Sequence, residues 1–522
     1  METKKVAVVG AGLSGLIACK LILSKGLTPI VFEAKDVIGG LWNDTIESTV
    51  LQTRRQMFEL SDFPWPKSVT EEYPRYDQVL DYLKSYAEHF GLFKYIRLNT
   101  KVLSIEYEGF SDEEINSWTY WSGSGNAFSE RSKWKLSLVD ARTNLPLQEE
   151  VVDFVVLCTG KFGDIPNIPK FPPNGGPKAF RNGKALHYIE YAALDFDNAT
   201  KLAKDKRIAV VGFQKSALEL IREFTNLIGT SKPCTLIYKT EYWNPPDGQP
   251  WGIHIDYLFA SRFAELLIHK PNEGFLLYLL AMLLAPIRWL ITKLVEFHVR
   301  RKTKMDKYGM VPKHSILQDV TSCRYAVLPE RFYERVEEGS IVLKKAPSFS
   351  FCEEGIMIEG ETKPIPLDLV ILATGYRGDL KYKNIFASST FRDYMNFGDA
   401  ALPLYRLCIH PRIPQVAVIG LTESISNLYT SEIRCRWLVE FLAGTFKLPS
   451  IKEMEKDIEN WERCLKLYSG ESYWRGCIGM LHHHYNDQVC KDIGWNPRRK
   501  KGFFANLFVP HRPTDYASPD NW

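Results

Sequence analysis

Three stretches of this chain hold residues whose types and spacing suit chemistry on phosphates and small charged molecules. Gly10-Ala11-Gly12-Leu13-Ser14-Gly15 spaces its glycines as G-x-G-x-x-G. Gly10 permits a tight turn, Gly12 lets a pyrophosphate approach the backbone, and Gly15 lets a helix pack on a strand. Glu33 follows, and a carboxylate there can hold ribose hydroxyls while repelling a 2′-phosphate. Gly212-Phe213-Gln214-Lys215-Ser216-Ala217 repeats the spacing, with Gln214 at the middle glycine and Ala217 at the last. Alanine is an accepted substitute there, Gln214 leaves a phosphate less room, and Lys215 can pair with one. Lys239 then stands where the first site has its acid, and a cation there favours a 2′-phosphate, hence NADPH over NADH. Between the two loops lies Gln52-Thr53-Arg54-Arg55. An arginine fork suits a substrate carboxylate or a cofactor phosphate, and equally a solvated pair or a structural ion pair.

These residues need elements to position them, and the apolar pattern supplies them. Val6-Ala7-Val8-Val9 reads as a buried strand and Ile17, Leu21 and Leu23 as the helix after the first loop. Pro29-Ile30-Val31-Phe32 is a second strand ending at Glu33. Arg207 to Val211, Leu218 to Phe224 and Thr235 to Tyr238 repeat strand, helix and strand around the second loop. Asp153 to Cys158 is a buried strand closing in Thr159-Gly160, and Asp368 to Ala373 is another closing in Thr374-Gly375. Tyr76 to Phe90 has helical apolar spacing, Glu108 to Arg131 reads as an exposed hairpin or loop, and proline-rich 166–177 reads as a linker. Gln415 to Gly420 adds a strand and Ser431 to Leu442 a helix. The expected fold is α/β, with two dinucleotide-binding (Rossmann-like) domains, and the family resemblance carried by the motifs given below implies that the NADPH domain is inserted into the FAD domain. The expected boundaries are 1–170 and 366–522 for the two parts of the FAD domain. The NADPH domain takes 171–365, with an apolar helical insertion at about 255–305.

Composition bounds the function classes. The chain has 522 residues and a net charge of +4, too small to imply a nucleic-acid partner by itself. Its ten cysteines form no C-x-x-C pair, so no zinc site or dithiol motif is signalled, and scattered thiols fit a reducing compartment. No metal site is expected, because consecutive residues such as His482-His483-His484 do not face one point. Met1 to Lys5 lead straight into the first strand, so no leader is expected there. The expected location is cytoplasmic, with association at the cytosolic face of the endoplasmic reticulum as an extension of it. Residues 275–304 carry a run too short to span a bilayer, then an amphipathic stretch ending in Arg300-Arg301-Lys302. Three readings compete: a buried lid over a substrate pocket, an interfacial helix pair making peripheral contact with an anionic membrane, and a spanning segment.

Gly39-Gly40-Leu41-Trp42 comes soon after Glu33 and resembles the turn that lies along FAD in two-dinucleotide-binding flavoproteins. Leu60-Ser61-Asp62-Phe63-Pro64-Trp65-Pro66 resembles a stretch of the plant flavin-containing monooxygenases. Phe180 to Tyr191 resembles the family fingerprint Phe-x-Gly-x-x-x-His-x-x-x-Phe/Tyr, with Gly183, His187 and Tyr191 in register and Phe180 one residue too far upstream. The resemblance covers nearly the whole chain, and the closest look within it is to the pipecolate N-hydroxylating group. It implies FAD at the first and last segments and NADPH at the middle one. It implies hydride transfer from NADPH to FAD, reaction of the reduced flavin with oxygen, and delivery of one oxygen atom to a nucleophilic nitrogen or sulfur. The implied substrate is a small-molecule amine, amino acid or sulfur compound, with no dedicated acid–base pair. Gln52, Thr53 and Arg54 are the flavin-flanking candidates, and Gly183, His187 and Tyr191 are assigned a linker role. One departure stands out: many members carry Asn after the Thr, where this chain has Arg54. A Baeyer–Villiger or oxidatively decarboxylating monooxygenase would share these motifs. A non-oxygenating FAD reductase or regulator is the alternative from another class.

Overall fold

The computed structural model describes residues 3–397 and 402–517. Two five-stranded, all-parallel sheets organise it. In the first, the strands run in the order Val416–Val418, Phe154–Leu157, Lys5–Val9, Thr28–Phe32, Ile96–Arg97. In the second the order is Ile341–Lys345, Cys234–Tyr238, Ile208–Val211, Leu369–Leu372, Lys184–His187. The central strands are apolar at nearly every position because helices and loops cover both faces, so both sides must be kept from water. Helices Leu13–Ser24 and Lys215–Ile228 follow the first strand of each glycine loop. Two three-stranded antiparallel sheets flank these units, one from Thr100–Glu108, Lys133–Asp140 and Glu150–Val152, the other from Phe349–Cys352, Gly355–Ile358 and Ile365–Pro366.

Four expectations need correction. The strand Leu369–Leu372 pairs with Ile208–Val211 and Lys184–His187. It is therefore an inner strand of the second sheet, and the return to the first unit begins beyond Thr374-Gly375 rather than at 366. A continuous apolar run shows that a strand is buried but not which sheet takes it. The stretch Glu108 to Arg131 is exposed over much of its length but is more than a hairpin or loop. It holds helix Asp112–Ser117, capped by Ser111 and Glu114, and a fully buried Trp121 whose Nε1 donates to the carbonyls of His410 and Ile413 at 3.1 and 3.0 Å. The cysteines are not all free: Cys323 and Cys477 form a disulfide across 154 residues, a separation no spacing rule reads.

The fourth correction concerns residues 275–304. They form helices Phe275–Leu283 and Ala285–Thr303, bent by 47° to one another, and no single helix among the described residues is long and apolar enough to cross a membrane. They are not a buried lid. Thr292, Val295, Glu296, Val299 and Thr303 seat the second helix on the protein, while the opposite face and most of the first helix lie exposed.

Candidate functional site

The first glycine loop is shaped by contacts that exclude side chains. Gly10 has φ of +104°, and a Cβ there would lie 2.7 Å from the Cys158 carbonyl oxygen. A Cβ on Gly15 would lie 1.9 Å from the Gly10 oxygen. The Gly39-Gly40 turn folds back over the loop: the Gly39 N–H donates to the Ala11 carbonyl at 3.0 Å, and a Cβ on Gly40 would reach within 3.0 Å of the Gly12 Cα. Leu13 and Ser14 open the helix, which has no side-chain cap and no acid in its first turn. Its first N–H groups therefore lack side-chain acceptors, and an anion can take that place. Glu33 is buried, with Oε2 accepting from Ala11 N–H at 2.7 Å and Oε1 from Lys35 N–H at 2.9 Å. A carboxylate has about four acceptor positions, so two bonds leave capacity for ribose hydroxyls. These residues fit the pyrophosphate and ribose of FAD.

The second loop is built alike. Gly212 has φ of +137°, and a Cβ there would lie 2.5 Å from the Ala373 carbonyl oxygen. Ala217 is fully buried and packs beside it. The helix begins at Lys215 after Gln214, again without a side-chain cap or first-turn acid. The Gln214 Nε2 is buried without a partner. An unpaired buried amide donor is costly, and a nucleotide phosphate would satisfy it. Lys239 is exposed at the cavity rim and makes no ion pair among the described residues. Lys215 is less available than its sequence position implies: its Nζ donates to the Val50 carbonyl at 2.5 Å and pairs with Glu219 at 2.8 Å.

A cavity of about 660 Å³ lies between the two units. Leu41, Trp42, Gln52, Thr53 and Arg54 line it from one side. Gly212, Gln214, Lys215, Ser216, Lys239, Thr374 and Gly375 line it from the other. Gly10, Gly12, Gly15, Glu33, Thr159 and Gly160 lie outside its wall. Thr53 Oγ1 donates to the Ile425 carbonyl at 2.8 Å, which pins this segment to the C-terminal part of the chain. The Arg54 fork is already engaged: Nε and Nη2 donate to Asp256 Oδ2 at 3.3 and 2.9 Å. The structural ion pair thus replaces the reading of Arg54 as a fork open to a carboxylate. Asp256 lies beside His254, whose Nε2 is 3.3 Å from the Tyr73 hydroxyl. Burial works to raise the Asp256 pKa, but the bonds and charges of His254 and Arg54 outweigh it and hold the carboxyl below its ordinary range.

The fingerprint residues do not face the cavity; Gly183 and His187 pack within the second unit, and Tyr191 reaches the first through Glu223 and Ser48. His187 Nδ1 accepts from Ile189 N–H at 3.3 Å, so its Nε2 carries the proton and donates to the Gly375 carbonyl at 3.0 Å. Burial lowers its pKa, so the ring is neutral in this role. Gly183 leaves no space for a Cβ, which would lie 2.7 Å from the Asp368 carbonyl oxygen. The Tyr191 hydroxyl donates to Glu223 at 2.9 Å, and Glu223 also accepts from Ser48 Oγ at 3.0 Å. Thr374 Oγ1 donates to the Asn167 carbonyl at 2.6 Å within the linker. His482, His483 and His484 each bond a backbone carbonyl, of Gly479, Ala260 and Pro271 respectively. Among the described residues no group of three His, Cys, Asp or Glu could hold a metal ion.

Sequence reasoning missed a charged cluster in the cavity wall. Glu423 Oε1 accepts from Lys161 Nζ at 2.6 Å and Oε2 from Arg475 Nη2 at 2.5 Å. Lys161 also donates to the Arg475 carbonyl at 2.7 Å. Burial raises the Glu423 pKa, but the two cations outweigh it and keep the carboxyl below its ordinary range. Glu423 follows the strand Val416–Val418, at the carboxyl edge where open parallel sheets place their ligands, and that rule could have found it. Nothing local marks Arg475 or Lys161.

Two parallel-sheet units with facing glycine loops around one cavity define a two-dinucleotide-binding flavoprotein oxidoreductase. Comparison with known proteins sharpens the class. A family model described as "Flavin-binding monooxygenase-like" matches residues 3–504. The chain is 38% identical over 520 residues to "Probable flavin-containing monooxygenase 1" of Arabidopsis thaliana, covering 99% of this chain and 96% of that one. Among solved structures it resembles S-allyl-L-cysteine S-oxygenase from Allium sativum, with a TM-score of 0.56 at 16% identity over 95% of this chain and 89% of that one. It also resembles OTEMO in complex with FAD and NADP, with a TM-score of 0.58 at 16% identity over 84% and 86%. The chain belongs to the flavin-containing monooxygenase family and is an FAD-containing, NADPH-dependent monooxygenase.

Proposed function

We propose that the enzyme oxygenates a nucleophilic nitrogen or sulfur atom of a small amine or amino acid held in the cavity between the two units. The observation that carries this reading is the wall opposite the glycine loops, where Arg54 and Asp256 stand paired beside His254 and Tyr73. The pair spends its fork and carboxylate on each other, so it offers a ligand a partly desolvated dipole rather than an open fork. It complements a zwitterion lying antiparallel to it, in which an ammonium and a carboxylate are themselves close. The solved neighbour described as an S-allyl-L-cysteine S-oxygenase acts on an amino acid through sulfur, which supports the substrate class.

FAD, when bound, supplies the oxygen-activating chemistry, and the chain supplies the setting. The two uncapped helix starts would hold the pyrophosphates, Glu33 would take the adenosine ribose of FAD, and Lys239 would take the 2′-phosphate of NADPH. The aromatic and apolar wall of Trp42, Phe58, Phe259 and Tyr325 keeps water from the reacting atoms. No side chain is assigned a proton-transfer step.

The test is product analysis with the FAD-loaded enzyme, NADPH and air. The panel holds a cyclic secondary amino acid, a thioether amino acid, their methyl esters and a cyclic ketone. One oxygen atom added to the free amino acids, with a higher Michaelis constant for each ester, is the expected result. Ketone conversion to a lactone with no amine or thioether product refutes the reading. So does NADPH oxidation that yields only hydrogen peroxide with every compound.

A further inference from the structure

The geometry points to a membrane-docking surface, built from helices Phe275–Leu283 and Ala285–Thr303 together with the C-terminal helix Phe503–Phe508, that fits an anionic lipid bilayer. The first contribution was legible as an apolar run, but the second was not. Leu276 is 79% exposed, Phe275 75% and Leu283 68%, and Trp289, Leu290, Leu294 and Phe297 line the outward face of the next helix. Phe503 and Phe504 are 73% and 74% exposed. These segments are distant in sequence and adjacent in space. The short helix Arg262–Leu266 touches both Phe275–Leu283 and Phe503–Phe508, and the Phe263 and Phe508 rings are 5.1 Å apart. Large apolar side chains this exposed and contiguous mark an interaction surface.

Three observations select a lipid surface as the occupant. The helix Ala285–Thr303 has its inner face sealed against the protein, where Glu296 accepts from Ile316 N–H at 3.1 Å, so the helix lies flat rather than crossing. Its outer face carries Trp289 with leucine and phenylalanine, the composition of a helix resting at the headgroup boundary. Cations flank the apolar patch at both ends. Arg301 stands beside the end of the long helix, Arg498 and Lys501 lie just before Phe503, and all three are exposed without an ion pair among the described residues. A second copy docking on the same face about a two-fold axis would bring these cations close to their own copies, with no acidic patch among the described residues of that face to meet them. An anionic bilayer meets both the apolar patch and its rim.

The experiment is flotation of the full-length FAD-loaded enzyme with phosphatidylcholine vesicles, with and without phosphatidylserine. The expected result is co-flotation with the phosphatidylserine vesicles that weakens at high salt. Leu276→Asp/Leu283→Asp should lower the bound fraction at least about tenfold, because two carboxylates then face the acyl boundary. Phe503→Ser/Phe504→Ser should lower it independently, with FAD content and NADPH oxidation unchanged in both variants. Arg301→Glu/Lys501→Glu should remove the dependence on phosphatidylserine while leaving the fold intact. Absence of wild-type flotation with either vesicle overturns the proposal. So does a concentration-dependent dimer that the Leu276→Asp/Leu283→Asp change dissolves without any vesicle binding.

Discussion

Replacing Glu423 with Gln keeps the side-chain shape and removes the charge that two cations share. Glu423 is 6% exposed, with Lys161 and Arg475 each within 2.6 Å of one of its oxygens. Breaking a buried ion pair by removing one partner costs about 3–5 kcal/mol, chiefly through the unpaired charge left behind. Unfolding entropy of about 2.1 cal/mol/K per residue over 522 residues gives roughly 1.1 kcal/mol/K. The melting temperature of Glu423→Gln should therefore fall by about 3–5 °C at pH 7 in a cooperative transition. The pH dependence has a definite sign. Because the folded carboxyl is held below its ordinary range, its stabilisation is complete above the unfolded pKa of about 4.5 and is lost as pH falls through the folded value. The gap between wild type and variant should narrow in acid and be constant between neutrality and mildly acidic pH. Calorimetry across that range measures it, with kcat/KM for NADPH-dependent oxygenation alongside. Replacing all three residues with apolar ones, Lys161→Met, Glu423→Leu and Arg475→Met, should restore much of the stability without restoring activity, since the cavity wall has changed. A Glu423→Gln enzyme melting within about 1 °C of wild type at neutral pH would refute the argument that this cluster is held together by charge.

Other expectations follow from the same geometry. Gly12→Ala keeps an ordinary backbone but fills the space between Gly12 and Gly40; the purified protein should carry less flavin at equal folding, read from its visible absorbance and far-ultraviolet dichroism. Lys239→Ala should raise the Michaelis constant for NADPH about tenfold and change that for NADH little, consistent with loss of one charge-assisted bond to the 2′-phosphate. Arg54→Ala should destabilise by about 2–4 kcal/mol, since Asp256 is left buried without its fork. Arg54→Ala with Asp256→Ala should cost less than the sum, and a double-mutant cycle by denaturant titration measures the difference.

The glycine loops and their flanking strands were legible because their demands are local. A tight turn, a close backbone approach and a buried strand each restrict residue type within a dozen positions, as Gly10, Gly212 and the run Val6 to Val9 show. The Gly183 and His187 positions were legible for a related reason: they meet the carbonyls of Asp368 and Gly375 within the second unit, which constrains these two positions directly. Sheet membership was not legible for Leu369–Leu372, since an apolar strand carries no mark of its partner. Trp121 was hidden for the same reason: its burial comes from the carbonyls of His410 and Ile413, nearly three hundred residues away. The apolar run at 275–283 showed its composition but not its exposure, because a buried lid and a docking face need the same side chains.

Charges in the cavity were the hardest to read, and the reason bears on how the enzyme holds its cavity closed. Taken one at a time, Arg54 and Lys215 read as sites for a ligand, while Lys161, Asp256, Glu423 and Arg475 carried no local mark in the sequence. In the fold each is engaged by the chain, mostly across segment boundaries: 54 with 256, 161 and 475 with 423, and 215 with the carbonyl of 50 as well as with 219 on its own helix. Pairing a buried charge with a partner from another part of the chain ties segments together at the cavity wall. Lys239 and the Gln214 amide, both on the NADPH side, are among the cavity groups left without a partner, together with the Tyr325 and Tyr376 hydroxyls and the Arg475 Nε. The division follows from physical cost. An unpaired charge is tolerable at the exposed rim, where Lys239 stands, and an unmet amide is tolerable where a phosphate will bind it. Within the wall itself, where water must be kept from the reacting atoms, every formal charge needs a partner from the chain.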